Sequence, residues 1–217
     1  MPRKLDLARR AELAAQAVDV LRARGVHRCT MSDLAAALGL KRPTLYFYFR
    51  DLGAVFEAVL EDTLRRFVEY VVRRTAAVEH PVDALIETAR ASADFTSEQR
   101  ELVVLLLQLW SAQPGDAEPM IARGQELAAP MRAGLTARLA DGIAAGLVAP
   151  CDPARIVDLM MATLDGALVA QVTRRAAPHP VIEELIARLL EPLAIRPGRR
   201  KRARKDAAGA ARTPRRT

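Results

Sequence analysis

The twenty residues TMSDLAAALGLKRPTLYFYF, numbers 30–49, hold the strongest structural signals in the chain. Thr30 and Asp33 have the spacing of a capping box, in which a hydroxyl group and a carboxylate satisfy backbone N–H groups at a helix start. Gly39 predicts the end of that helix, and Pro43 suits the first turn of the next, where no N–H donor is needed. The stretch therefore predicts two short helices joined by a tight turn, the pattern of a helix-turn-helix.

The same stretch is crowded with aromatic and cationic side chains, since four of the nine aromatic residues lie at positions 46–49. Leu45 and Phe49 have the spacing to face inward and anchor the second helix. The other side chains include cations and hydroxyl groups that suit a DNA phosphate backbone. These are Lys41, Arg42, Thr44, Tyr46 and Tyr48. Arg42 can also bind O6 and N7 of guanine. The alternative is that the aromatic residues are only core and the cations only solvated.

The net charge of +7 is distributed unevenly along the 217 residues. Residues 1–50 carry a net charge of +6, residues 51–195 carry −8, and residues 196–217 carry +9. Such a pattern indicates that only the two ends meet a polyanion. The composition of residues 196–217 predicts a disordered basic tail, which either adds sequence-independent affinity for DNA or only keeps the protein soluble.

The composition favours an all-α fold, because hydrophobic residues make up 51% of the chain and Ala, Leu and Arg dominate. Around the central stretch we predict a helix before it, a long helix capped by Asp51 after it, and about nine helices in total. The predicted ranges outside the stretch are 7–24, 51–78, 81–95, 98–113, 116–146, 153–176 and 180–194. The apolar run at 102–110 is interpreted as a buried helix.

Several classes of protein and site are not indicated by the sequence. Charged residues interrupt the N-terminal apolar region, and no apolar run approaches the length of a membrane span. Cys29 and Cys151 fit a reducing cytoplasm, either as buried thiols or as a redox-sensing pair. We find no motif for catalysis, a metal or a cofactor, so we expect a cytoplasmic protein that is not an enzyme.

Residues 9–56 resemble the DNA-binding domain of the TetR family of transcriptional repressors. The resemblance is carried by TMSDLA at 30–35, Gly39-Leu40, and PTLY at 43–46 followed by Phe49. It implies a DNA-binding domain at 1–52, a helical regulatory and dimerisation domain at 53–195, and the tail at 196–217.

The resemblance also implies which residues meet DNA. Thr44 and Tyr46 would contact phosphates, and the starts of the two short helices would face the duplex. The residues at these starts are Thr30, Ser32, Arg42, Pro43 and Phe47. Two positions depart from the family pattern, because Lys41 replaces a small capping residue and Leu52 replaces a basic residue. We expect Arg50 to supply the phosphate contact that Leu52 lacks.

For the larger domain, the resemblance implies a homodimer formed by 153–176 and 180–194, although both helices could simply complete a monomer's core. A pocket for an unknown effector is expected among the middle helices, and the long fourth helix would couple it to DNA. Its candidate lining residues, each of which could equally be core, are Phe67, Phe95, Gln108, Trp110, Met131, Met160, Met161 and Asp165. The sequence thus predicts a ligand-responsive repressor that binds a palindromic operator as a dimer. The alternative is a DNA-binding scaffold whose helical body binds another protein.

Overall fold

The computed structural model describes residues 6–25, 28–99, 104 and 117–196. Eight α-helices occupy most of these residues, and the sole β-type pairing among them is an isolated antiparallel bridge between Val148 and Ala194. The helices are α1 (Leu7–Arg24), α2 (Met31–Ala37), α3 (Arg42–Tyr48), α4 (Leu52–Thr75), α5 (Pro81–Glu98), α6 (Ala117–Ala144), α7 (Pro153–Thr173) and α8 (His179–Leu185). The all-α prediction is confirmed for the described part of the chain.

The first four helices begin and end close to the positions that the sequence predicts. Asp6 caps α1, Thr30 caps α2 and Asp51 caps α4, each through a side-chain oxygen that accepts a backbone N–H. The prediction that α4 continues to about residue 78 is wrong, because the helix ends at Thr75. The chain turns there, and Pro81 favours an extended conformation for the residue before it.

The prediction of a helix over 180–194 needs a correction in its second half. The α-helical part ends at Leu185 and is followed by a π-helical turn, Ile186–Leu190, and a short 3-10 turn, Glu191–Leu193. Pro192 has no N–H group to continue an α-helical ladder, which accounts for the change of winding at this end. The predicted helix at 98–113 lies outside the described residues except for 98, 99 and 104.

The described side chains form two separate buried clusters, which share no residue. The head cluster draws its buried members from the range 13–60, which covers α1, α2, α3 and the first half of α4. The body cluster draws its buried members from the range 82–190, which covers α5 to α8 and the turns between them. Helix α4 begins in the head cluster and then packs along α5 and α6, so it links the two parts of the molecule.

The corner between α4 and α5 is held by groups from later in the chain. Arg138 on α6 donates to the backbone carbonyl oxygens of Val78 and Glu79 in this corner. The end of the described chain is fixed nearby, because Arg196 pairs with Asp83 on α5 at 2.5 Å. The far end of α4 is therefore anchored in the body, about 36 Å along the helix axis from its start in the head.

Candidate nucleic-acid interface

The start of α2 has the geometry of the predicted capping box. The Thr30 hydroxyl donates to Asp33 Oδ2 at 2.6 Å and accepts the Asp33 N–H at 3.2 Å, while the Thr30 N–H donates to the same carboxylate at 3.0 Å. Arg24, the last residue of α1, forms an ion pair with Asp33 on α2. The Thr30 hydroxyl and N–H, followed by Arg24, hold the pKa of Asp33 below its usual value. Both polar hydrogens of Thr30 are thus donated within the protein. Ser32, two residues further along the chain, is half-buried.

The turn after α2 delivers α3 in a fixed orientation. Gly39 has φ +66°, in the left-handed region that glycine adopts without strain. The Leu40 N–H donates to the Ala35 carbonyl oxygen at 2.8 Å, which closes the end of α2. Leu45 and Phe49 are each 1% exposed, so the prediction that they face inward is confirmed.

The other side of α3 lies open to solvent. Tyr46 is 46% exposed and Phe47 is 38% exposed, although aromatic side chains of this size are usually largely buried. The structure thus brings the predicted α3 residues onto one accessible surface. Of these residues, Lys41, Arg42, Pro43, Tyr46 and Phe47 are exposed, while Thr44 and Tyr48 are half-buried. The Phe47 and Tyr48 rings meet edge to face, with centroids 5.1 Å apart.

The structure shows what surrounds Lys41 and Leu52, the two positions that depart from the family pattern. Lys41 stands at the cap of α3, and its side chain makes no capping hydrogen bond. Leu52 packs its apolar side chain against the head cluster, so this side chain cannot supply a phosphate contact. Arg50 is exposed beside it, and its Nε lies 3.2 Å from Asp51 Oδ2.

One head residue that the sequence reasoning missed is Arg10 on α1. Its guanidinium lies 5.3 Å from the centroid of the Phe49 ring, and its Nη1 lies 3.4 Å from Glu61 Oε2 on α4. Arg10 Nη2 also donates to the Ala54 carbonyl oxygen at 3.4 Å. These contacts join the end of α3 to α4. The sequence gives no signal for them, because the partners lie 39 to 51 positions away.

The structure brings together two of the predicted effector residues. The Phe67 and Phe95 rings meet at 5.4 Å between α4 and α5, and Tyr70 extends the group at 5.8 Å from Phe95. The other described candidates lie on α6 and α7: Met131 and Met161 are half-buried, Met160 is buried and Asp165 is exposed. Partial desolvation raises the pKa of Asp165, an effect that Arg132 opposes. Gln108 and Trp110 lie outside the described residues.

A polar network next to these rings was also missed. Arg74 on α4 donates to Glu87 at 2.6 Å and to Asp94 at 2.9 Å, both on α5. Asp94 also lies 2.9 Å from Nε2 of His179 at the start of α8. These contacts, with His179 as the largest contributor, keep the pKa of the Asp94 carboxyl below its usual value. The network ties α4, α5 and α8 together and neutralises the charge of Arg74.

Helix α7 presents an apolar surface to solvent. Leu159 is 51% exposed and Val169 is 44% exposed, and both lie on a stripe with Ala162, Gly166 and Thr173 at helical spacing. Val181 on α8 is 45% exposed. By length and mean hydropathy α7 is also the single described helix that could cross a membrane, a test that core helices of soluble proteins pass too.

The described residues offer little for metal or thiol chemistry. They contain no group of three or more His, Cys, Asp or Glu residues arranged to hold a metal ion. Cys29 is buried and Cys151 is half-buried, and both thiols are unbridged. Burial raises the pKa of each thiol above its ordinary value.

Comparison with known proteins supports this account of the head and the body. A family model described as bacterial regulatory proteins of the tetR family matches residues 13–59. No curated protein matches the chain. Many solved structures share its fold, and three of them are described below.

A transcriptional regulator of the TetR/AcrR family from Thermobifida fusca YX-ER1 is 21% identical, with 85% of this chain and 97% of that chain covered and a TM-score of 0.60. The transcriptional regulator FadR from Bacillus subtilis, solved in complex with stearoyl-CoA, is 16% identical, with 83% and 97% covered and a TM-score of 0.69. AibR, solved in complex with isovaleryl coenzyme A and operator DNA, is 18% identical, with 84% and 98% covered and a TM-score of 0.57.

At these identities the solved structures establish the fold of the 83–85% of this chain that they cover, while the family model applies to the head. The matched residues 13–59 nearly coincide with the range of the head cluster, 13–60. They also include the capping box, the turn and the exposed face of α3. Residues 13–59 therefore form a domain of the kind found in bacterial regulatory proteins of the tetR family, and the chain is a DNA-binding regulator.

Proposed function

We propose that the protein is a cytoplasmic, ligand-responsive repressor that binds a palindromic operator as a homodimer. The observation that carries this proposal is the exposed face of α3. Its cationic and hydroxyl side chains are the kinds of group that bind phosphates and bases, and a buried anchor at Leu45 and Phe49 fixes their orientation.

On this proposal each part of the head has a separate role. Tyr46 and Thr44 bind phosphates through their hydroxyl groups, while Arg42 reaches a guanine in the major groove. Arg50 supplies the phosphate contact that the packed side chain of Leu52 leaves unfilled. The capping hydroxyl of Thr30 acts indirectly, since its hydrogen bonds to Asp33 orient the start of α2 and with it Ser32.

The homodimer is proposed from the exposed stripe on α7. A single α3 helix makes few contacts with DNA. Two linked heads bind two half-sites at once and therefore reach an affinity that one head lacks. Pairing α7 and α8 of two copies would cover Leu159, Val169 and Val181, which water otherwise contacts. The alternative, a scaffold that binds a different protein, would use the same stripe.

The effector is proposed to be an acyl-coenzyme A or a related apolar acid. Two proteins of the same fold were solved with such compounds, stearoyl-CoA in one and isovaleryl coenzyme A in the other. In this chain the rings of Phe67, Tyr70 and Phe95 offer an apolar surface that an acyl chain can contact. Arg74 is already paired with two carboxylates, so we expect the phosphates of a coenzyme A to bind other cations.

Helix α4 is the element through which the effector would act. It carries Phe67 and Tyr70 in its second half and part of the head cluster in its first half. An effector changes DNA affinity only if it binds one orientation of the heads better than another. Movement of Phe67 and Tyr70 relative to α5 would tilt α4 and change the distance between the two heads.

Selection of bound sites from random duplex DNA tests the proposal. Wild type is compared at fixed salt with Tyr46→Phe, which removes one phosphate donor, and Arg42→Ala, which removes the proposed guanine contact. We expect a palindrome for wild type, uniformly weaker binding for Tyr46→Phe, and relaxed preference at one position of each half-site for Arg42→Ala. Salt-sensitive binding without an enriched sequence would contradict the proposal.

A second experiment tests the effector. Thermal shift is measured with acyl-coenzyme A compounds of increasing chain length, and any stabilising compound is then added to the protein on its selected operator. We expect stabilisation to depend on chain length, to be lost in Phe95→Ala, and to be accompanied by a change in operator affinity. A compound that stabilises the protein and leaves operator affinity unchanged would exclude the coupling.

A further inference from the structure

The side of α3 opposite the head cluster carries two apolar residues. Leu45 and Phe49 define the side of α3 that faces the head cluster. With 3.6 residues per turn, Phe47 and Pro43 fall about 140–180° around the helix from the middle of that side. Both residues are exposed, so they form a crest on the side of α3 opposite the head cluster.

The polar groups of α3 lie to either side of this crest. Tyr46 projects about 100° around the helix from Phe47 on one side, and Thr44 and Tyr48 lie on the other. Hydroxyl groups at the flanks suit the phosphates that line the two edges of a groove. The side chains of Pro43 and Phe47 offer neither a donor nor an acceptor.

Phe47 is also held in place. Its ring contacts the Tyr48 ring edge to face at 5.1 Å with an interplanar angle of 84°, and such a contact favours a defined ring orientation. An apolar ring on the crest would leave hydrogen-bonding base edges without partners, which costs binding energy. The apolar group that the floor of the major groove displays is the C5-methyl of thymine.

We propose that Phe47, supported by Pro43, reads a thymine methyl group in each operator half-site. This inference rests on the proposed operator binding and adds the chemical group that specifies one position. Phe47 is therefore a specificity-determining residue that selects thymine by apolar contact, while Arg42 selects by hydrogen bonding. Replacement of thymine by deoxyuridine removes the methyl group and leaves base pairing unchanged, so it isolates this contact.

The test is a deoxyuridine scan of the selected operator. In each duplex, the two thymines at one pair of symmetry-related positions are replaced by deoxyuridine, and the affinity of full-length wild-type protein is measured at fixed salt. Burial of one methyl group is worth about 0.8 kcal/mol, or about fourfold in affinity at 25 °C. We expect one symmetric pair of positions to weaken binding about 15-fold, because both half-sites lose a methyl group. Thymines in the flanking DNA are the control and should show no effect.

Three variants then assign the effect to the residue. Phe47→Ala should bind thymine and deoxyuridine operators equally, whereas Phe47→Leu should keep most of the discrimination. Tyr46→Phe is the matched control, since it should weaken both operators by the same factor and leave their ratio unchanged. Circular dichroism melts check that each variant is folded.

The outcomes separate this inference from the proposed function. Wild type that selects no operator would remove the proposed function itself. Wild type that selects an operator and is insensitive to deoxyuridine at every position would overturn the role of Phe47 alone. The role of Phe47 would also be overturned if Phe47→Ala discriminated between thymine and deoxyuridine operators as strongly as wild type does.

Discussion

Replacement of Gly142 by alanine should destabilise the body, although alanine is the better helix former. Gly142 lies on α6 against the corner between α4 and α5. A Cβ atom there would lie 2.6 Å from Val148 Cγ2 and 2.7 Å from Pro81 Cγ, closer than non-bonded carbon atoms approach. The proline ring cannot rotate away, and overpacking of this kind costs about 1–3 kcal/mol.

The same helix provides a matched control. A Cβ atom at Gly134 would meet nothing within 4 Å, so Gly134→Ala gains only the helix propensity of alanine, up to about 1 kcal/mol. Because both variants gain that propensity, the difference between them measures the overpacking alone. We expect Gly142→Ala to be about 1–3 kcal/mol less stable than Gly134→Ala.

The assay is urea denaturation followed by circular dichroism at 25 °C. All proteins are measured at one concentration, so that the proposed dimerisation contributes equally to the stability of each. The m-values should agree, which would show that the folded and unfolded states are comparable. A Gly142→Ala variant as stable as Gly134→Ala would refute the close packing of α6 on the corner.

Three further predictions concern the cap, the dimer and the tail. Asp33→Asn should lower the melting temperature of the head; because folding lowers the pKa of Asp33, the deficit should be full at pH 7 and shrink as the pH falls below about 4, as circular dichroism melts can measure. Leu159→Asp should convert a dimer into a monomer in sedimentation velocity, whereas Val72→Asp, also at an exposed apolar residue but on α4, should remain dimeric; dimeric Leu159→Asp would exclude the stripe on α7 as the interface. Deletion of 197–217, which carry nine basic residues and one acidic residue, should reduce non-specific DNA affinity and the salt slope far more than sequence preference, and an unchanged slope would favour a solubilising role.

The head could be predicted in detail because its signals are local. The capping box needs only Thr30 and Asp33, the turn needs Gly39, and the inward pair Leu45 and Phe49 are four residues apart. Each of these features follows from backbone chemistry within one or two helical turns.

The body could be predicted only as a set of helices. The pairs that join its helices span long separations, such as Arg90 with Glu183 at 2.8 Å and Asp94 with His179 at 2.9 Å. Any of the many arginines could pair with any exposed carboxylate, so composition does not select the partner. For the same reason the sequence indicated aromatic residues in the body but not that Phe67 and Phe95 would meet.

This contrast follows from what each part must contact. A buried core tolerates many combinations of apolar side chains of suitable volume, so the body can keep its fold while leaving little sequence pattern. The head must in addition present fixed groups to a duplex whose groove width and phosphate spacing do not vary much. Its side chains are therefore constrained on the inner and the outer face of the same short helix. That double constraint explains why the family model matches 13–59, whereas solved structures share the fold over 83–85% of the chain at identities of 16–21%.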